Sequence, residues 1–304
     1  MTTIPEFPIF EPVTMDMAED LHAFCEALTS GISEFSFANI YIDTLKYKYQ
    51  ASQVSTETVI VTGISPSRSF MEHQLEGPFF MVLGAIPKDD ILIELFKKFR
   101  YWKNMSLDSY EIFSKNPVSQ NFQIFEDRDN FDYLYDKNDL ALLQGKDFHK
   151  KKNLVNAFTS AYSTEVKPLD IYTAKEALSV LESWKQARPA DDYGDYKQCK
   201  FALENFISLK MNGIVVYADG IPAGFSLGEY MCNETMFVVM FEKGINSYKG
   251  IYQFINRSQA IDLPGNVITI NREQDLGNPG LRQAKMTYRP CSFTKKYLVL
   301  PESM

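Results

Sequence analysis

The sequence predicts an α+β fold in two similar halves, and three observations carry that expectation. The order strand, loop, helix, strand occurs twice, as FFMVLGAIP, a helix at Asp89 and YEIF, then as MFVVMFEKG, a helix at Ile251 and VITI. The copies lie about 160 residues apart, the size of one domain. A chain of 304 residues with 45% hydrophobic content can bury two cores at about 150 residues each. The expected domains are 1–135 and 136–304.

The elements follow from local pattern. Residues 15–28 read as an amphipathic helix, with Met17, Leu21, Phe24 and Leu28 at helical spacing and Asp16, Glu19 and Asp20 at its start. After a mixed aromatic segment, 58–62 and 79–83 read as strands, 89–103 as a helix carrying Ile91, Leu95, Phe96 and Phe99, and 110–113 as a short strand. Residues 146–162 form a helix with Phe148, Val155, Phe158 and Tyr162 near one face, and 175–187 and 197–209 form two more. Strand 214–217 turns through Asp219-Gly220 into 225–230, a hairpin by its turn chemistry, with 236–241 as a third strand. Helix 251–261 turns Ile251, Phe254 and Ile255 inward, and the β-branched run 267–270 is the next strand. Asn278 then caps a helix with Pro279 in its first turn, expected to stop at Arg289 before Pro290. Leu281, Ala284 and Tyr288 form its packing face, and Arg282, Lys285 and Arg289 a basic stripe. Residues 296–300 are the last strand.

Composition narrows the function. No run of about 18 apolar residues is present, and MTTIPEFPIF has neither a basic start nor an apolar core of signal-peptide length, so a cytoplasmic protein without membrane insertion is expected. Cys25, Cys199, Cys232 and Cys291 lack CxxC spacing, and His22, His73 and His149 are scattered, so no metal is expected. A net charge of −8 disfavours a broad nucleic-acid surface. Two local basic patches remain, Lys146 with Lys150, Lys151 and Lys152, and Arg282, Lys285 and Arg289 with Lys295 and Lys296, each a solvated face or a ligand site.

Two segments carry candidate chemistry. In EKGINSYKGIYQFIN, Gly244, Ser247, Tyr248, Lys249 and Gly250 precede a helix whose unpaired N–H groups and dipole favour an anion. Gly250 would let a pyrophosphate approach, Ser247 would cap and Lys249 would neutralise charge. Beyond Ile270, Asn271, Arg272, Glu273, Gln274 and Asp275 cluster at a strand end, where open α/β sheets bind ligands. His149 and Lys150 add a candidate contact for an acidic ligand.

These segments carry a resemblance. The antiparallel start, the loop and helix, and the following strand resemble the GNAT acyltransferase fold, and two copies resemble the peptidoglycan interpeptide-bridge aminoacyltransferases. GKDFHKKKN, KGIYQFIN and NREQDLGNPGLRQAKMTYRP resemble an uncharacterised bacterial family related to the catalytic C-terminal domain of phosphatidylglycerol lysyltransferase. The likeness runs from about Phe35 onward. It implies two tandem GNAT-like domains, each a mixed, mostly antiparallel sheet flanked by helices, the first degenerate and the second active. It also implies transfer of an acyl or aminoacyl group from a CoA thioester or an aminoacyl-tRNA to an amine or hydroxyl. No segment of these 304 residues reads as the membrane-spanning half of the lysyltransferase, so a lipid acceptor is not expected, and the Arg/Gln-x-x-Gly-x-Gly/Ala loop of acetyltransferases is matched only loosely.

On that reading Glu242 or Glu273 is the base and Tyr288 the acid. Asn271, Arg272, Asp275, Arg282 and Lys285 bind substrate, Arg272 or Lys285 steadying negative charge. Tyr288 also fits a packed core tyrosine. The alternative function is a non-catalytic GNAT-fold protein that binds a coenzyme or nucleotide-bearing ligand.

Overall fold

A computed structural model describes residues 2–66, 75–189 and 191–302; His73 lies outside them. The chain divides into two compact units, one of Met1–Asp132, Gln274–Gly277 and Phe293–Met304, the other of Tyr133–Glu273 and Asn278–Ser292.

In the first unit the strands lie in the order Glu11–Pro12, Gln50–Ser55, Thr58–Ser65, Gly77–Gly84, Tyr101–Ser106, Lys296–Pro301 and Phe122–Glu126. Adjacent strands are antiparallel except Gly77–Gly84 and Tyr101–Ser106, which pair in parallel through Phe79 and Phe80. Helix Asp89–Lys98 joins that parallel pair, because parallel strands need a long crossover connection. Its Leu92 and Leu95 pack with Phe80, Trp102, Met105 and Val299.

Residues 110–113 are helical, within Leu107–Phe113, and the strand expected there is Tyr101–Ser106 instead. Ser106 decides this, because its side chain accepts from the Ser109 backbone N–H and starts the helix. The strand 296–300, read as closing the second half, pairs in the first unit, between Tyr101–Ser106 and Phe122–Glu126.

That strand begins with a fully buried cation. Lys296 Nζ donates to Asp132 Oδ1 at 2.8 Å and to Glu34. Asp132 also accepts from the Ser33 N–H and hydroxyl, at 2.8 and 2.9 Å, and from Gln274 Nε2 at 2.6 Å. Burial raises the Asp132 carboxyl against the pull of Lys296; at Glu34 burial acts the same way, but Lys296 outweighs it and the carboxyl stays low. Nearby, Asp275 is fully buried and pairs with Arg128 at 3.3 Å.

In the second sheet Ser292–Thr294 lies at the edge beside Asp132–Asp136, and from there the order runs Asp132–Asp136, Thr269–Asn271, Met236–Gly244, Ile221–Met231, Asn212–Ala218 and Thr164–Pro168. Again one pair of that run, Met236–Gly244 with Thr269–Asn271, is parallel and its others are antiparallel. The expected Asp219-Gly220 hairpin forms, both residues at positive φ (51° and 76°) as a tight primed turn requires. Ile251, Phe254 and Ile255 of helix Ile251–Asp262 pack on Ile214, Val216 and Ala223, and Phe158 of helix His149–Ala161 joins that core. Both sheets are therefore mixed and mostly antiparallel, flanked by helices. Among the described residues, no helix is long and apolar enough to cross a membrane.

Candidate active site

The site of interest lies where the parallel ladder of the second unit stops. Pairing runs from Met236 with Thr269 to Val238 with Asn271. Toward the other neighbour, Leu227 pairs with Phe241 and Gly228 with Val239, which leaves Met240 as the extra residue of a bulge. Bulges re-aim the side chains that follow them. Glu242 comes two residues later, and Arg272 comes directly after the end of its own strand.

Those two side chains meet. Arg272 Nη2 donates to Glu242 Oε1 at 3.0 Å, both groups largely buried. Glu242 Oε2 is buried and, among the described residues, has no hydrogen-bond partner. Burial opposes the Arg272 charge, but Glu242, Tyr288 and Tyr135 hold it above its ordinary value.

Tyr288 completes the cluster. It is 8% exposed, its hydroxyl is hydrogen-bonded to Gln253 and Arg272, and burial followed by Glu242 raises its pKa while Arg272 opposes. The Arg272 guanidinium carbon lies 5.1 Å from the ring centroid, and Lys151 Nζ lies 3.9 Å from it. Tyr135 meets the ring edge-on and donates its own hydroxyl to the Lys285 carbonyl at 2.9 Å.

The helix before Tyr288 departs from expectation. Asn278 caps it through the Leu281 N–H at 3.0 Å as foreseen, but it ends at Met286 and buries no residue. Leu281 is 41% exposed, so only Tyr288, in the turn beyond the helix, packs inward. Lys285 turns off the basic stripe to donate to the carbonyls of Arg272 and, at 3.4 Å, Glu273. It braces the strand end. Arg289 pairs with Asp147 at the surface, 3.2 Å away, and Arg282 is half-buried.

Other candidates lie apart from the cluster. Asn271 is buried and accepts from the Glu273 N–H at 2.7 Å, shaping the turn in which Glu273 has a φ of 54°. Asp275 belongs to the first unit, where its oxygens hold Arg128 and the Gly277 N–H. His149 and Lys150 are exposed. Lys151, Gln253 and Tyr135 were not singled out as site residues from sequence. Lys151 carried a signal, because it sits three residues after Phe148 and four before Val155, on the stripe that buries.

The loop ahead of helix Ile251–Asp262 differs in detail. Gly250, with φ +91°, is its N-cap, and Ser247 makes no capping bond. A Cβ on Gly250 would stand 2.2 Å from the Leu154 carbonyl oxygen, so the close approach it allows is that of the neighbouring helix rather than a pyrophosphate. Gly244 is similarly closed over by Ile251 and Ile255, and Tyr248 packs edge-on against Phe158 and Tyr162. Ser247 and Lys249 remain exposed on the turn. Gly250→Ala is expected to destabilise the protein by about 1–3 kcal/mol, read from urea unfolding, because it combines a left-handed φ with a backbone clash.

Comparison with known proteins then fixes the relationship. The family described as phosphatidylglycerol lysyltransferase, C-terminal, matches residues 26–300. This chain belongs to that family. A protein of unknown function from Bacteroides thetaiotaomicron shares 25% identity and superposes with a TM-score of 0.84, over 96% of this chain and 99% of that one. L-PGS from Bacillus licheniformis shares 14% identity and the fold, with a TM-score of 0.62 over 99% and 94%. An uncharacterized protein of Mycoplasmoides gallisepticum is 29% identical over 187 residues, 58% of this chain, and the match spans 57% of that relative's length. A tandem GNAT protein from the clavulanic acid biosynthesis pathway matches 96% of this chain at 10% identity with a TM-score of 0.50. This member of the lysyltransferase C-terminal family thus has two tandem GNAT-like domains, related in family and fold to acyl and aminoacyl transferases.

Proposed function

We propose that the chain is an aminoacyltransferase that moves an aminoacyl group from a charged tRNA to an amine or hydroxyl acceptor at the Glu242, Arg272 and Tyr288 cluster. The observation that carries this reading is Glu242 Oε2, a buried acceptor atom with no partner among the described residues. A buried polar oxygen left unpaired costs about 1–3 kcal/mol, so it calls for a donor from the ligand. An acceptor N–H or O–H supplies one.

In the reaction the acceptor atom attacks the ester carbonyl carbon as its proton passes to Glu242 Oε2. The new C–N or C–O bond forms, and the bond to the ribose oxygen breaks. Tyr288 delivers its hydroxyl proton to that departing oxygen. Its raised pKa keeps the proton in place at neutral pH, and its bonds to Gln253 and Arg272 orient it. Arg272 steadies the developing negative charge. Lys285 is a positioning residue, through the Arg272 carbonyl, and Glu273 and Asn271 shape the turn.

Two points favour the aminoacyl ester over a CoA thioester: the family kinship, and the Leu154 carbonyl that closes the helix start at Gly250. Ser247 and Lys249 are then left to touch a donor phosphate at the turn. The test is a thermal-shift panel of aminoacyl-tRNAs, deacylated tRNAs and acyl-CoA thioesters, followed by transfer of a labelled aminoacyl group. Saturation by aminoacyl-tRNA at about 100 times its Kd raises stability by about 2.7 kcal/mol. A response to acyl-CoA alone reverses the donor assignment, and no transfer from either donor refutes the enzyme.

A further inference from the structure

The cluster carries more positive charge than its own carboxylate balances. Glu242 already accepts from Arg272, at 3.0 Å. Lys151 enters from helix His149–Ala161 and sits half-buried, with its ammonium 3.9 Å from the Tyr288 ring centroid. Among the described residues Lys151 has no carboxylate partner, unlike Lys243, whose ammonium meets Asp195 at 2.7 Å. Lys285, the other nearby ammonium, is taken up by main-chain carbonyls.

We infer that Lys151 and Arg272 together form a binding site for a singly charged oxyanion of the substrate, a phosphodiester or a carboxylate. One such charge balances the two cations and Glu242, whereas a dianion would leave an excess of negative charge in a largely buried place. Tyr288 supports the assignment, since the Lys151 ammonium lies over its ring and is thereby held at the rim of the cluster. Burial, and then the like charge of Arg272, hold the Lys151 pKa below the usual lysine range, a strain that a bound anion would relieve. Helical phase explains why this lysine acts and its neighbours do not. His149 and Lys150 precede it on the exposed side, and Lys152 follows it there.

This inference rests on the proposed active site, but its test does not require turnover. Isothermal titration at low ionic strength compares dimethyl phosphate, acetate and neutral trimethyl phosphate on the full chain, in the wild type, Lys151→Gln and Lys151→Arg. Dimethyl phosphate or acetate should bind the wild type, weaken by about ten- to a hundredfold in Lys151→Gln and recover in Lys151→Arg, with no binding of trimethyl phosphate. Whichever anion binds tells a phosphodiester from a carboxylate. In transfer assays Lys151→Gln should raise KM by a similar factor and leave kcat nearly unchanged. Equal binding by wild type and Lys151→Gln, or no binding of either anion, overturns the inference; if transfer nonetheless proceeds, the proposed function stands without it.

Discussion

Replacing Lys296 with methionine is expected to remove about 3–5 kcal/mol of stability, the cost of stripping one partner from a buried ion pair. Lys296 and Asp132 are both fully buried, and Glu34 shares the same ammonium. Methionine fills the space, so the loss comes from two carboxylates left without a cation. The pH dependence identifies that cause. Without Lys296 both carboxyls titrate higher in the folded state than in the unfolded one, and a carboxyl raised in this way weakens the fold increasingly as pH climbs through its range. The deficit of the variant should therefore narrow as pH falls from 7 into the carboxylate range. Urea unfolding of both proteins at several pH values measures it. A pH-independent loss below about 1 kcal/mol would mean that the network behaves like a surface pair.

The second large effect is on turnover. Glu242→Gln is expected to lower the transfer rate by about 10²- to 10⁴-fold, the usual contribution of a positioned general base. Glu273→Gln should leave it within about threefold, or ~0.6 kcal/mol, because the bond that shapes its turn runs from its backbone N–H to Asn271 and survives the substitution. Gln keeps the Glu242 shape but cannot take the proton, and it leaves Arg272 facing a neutral partner, so a melting curve must accompany the rate. Tyr288→Phe gives the complementary result. An acid must hold its proton, so activity falls as pH rises through its pKa, and burial moves that fall above the ordinary tyrosine range. In Tyr288→Phe the alkaline limb should vanish along with most of the rate. Full activity in both Glu242→Gln and Tyr288→Phe would remove the mechanism.

What could be read from sequence was what short-range chemistry decides. The Asp219-Gly220 turn and the Asn278-Pro279 helix start depend on neighbouring residues alone, and both form as expected. Residues 296–300 read as a strand of the second half, but the strand joins the sheet of the first, since nothing local says which edge a strand will join. YEIF is rich in strand formers, yet the cap at Ser106 outweighs that preference. At the site, Glu242, Arg272 and Tyr288 were named from sequence, and the structure brings those three together. Lys151 was lost among four similar lysines because the basic run drew attention from the apolar period it interrupts. Asp275 looked like a ligand because it stands in a polar cluster, but its oxygens are used within the first unit.

Strand Lys296–Pro301 sits between two others of its sheet, with Tyr101–Ser106 on one edge and Phe122–Glu126 on the other. As the chain leaves the ribosome, those two strands emerge with a vacant slot between them, and it stays vacant until some 170 further residues have been made, about 10–35 seconds at ordinary elongation rates. The strands of the later-synthesised sheet from Asp132–Asp136 to Thr269–Asn271 are all made before the strand that the earlier sheet still needs. Chains truncated at residue 290 and released from the ribosome should thus protect the hairpin at Asp219 from proteolysis while leaving Phe122–Glu126 open to it.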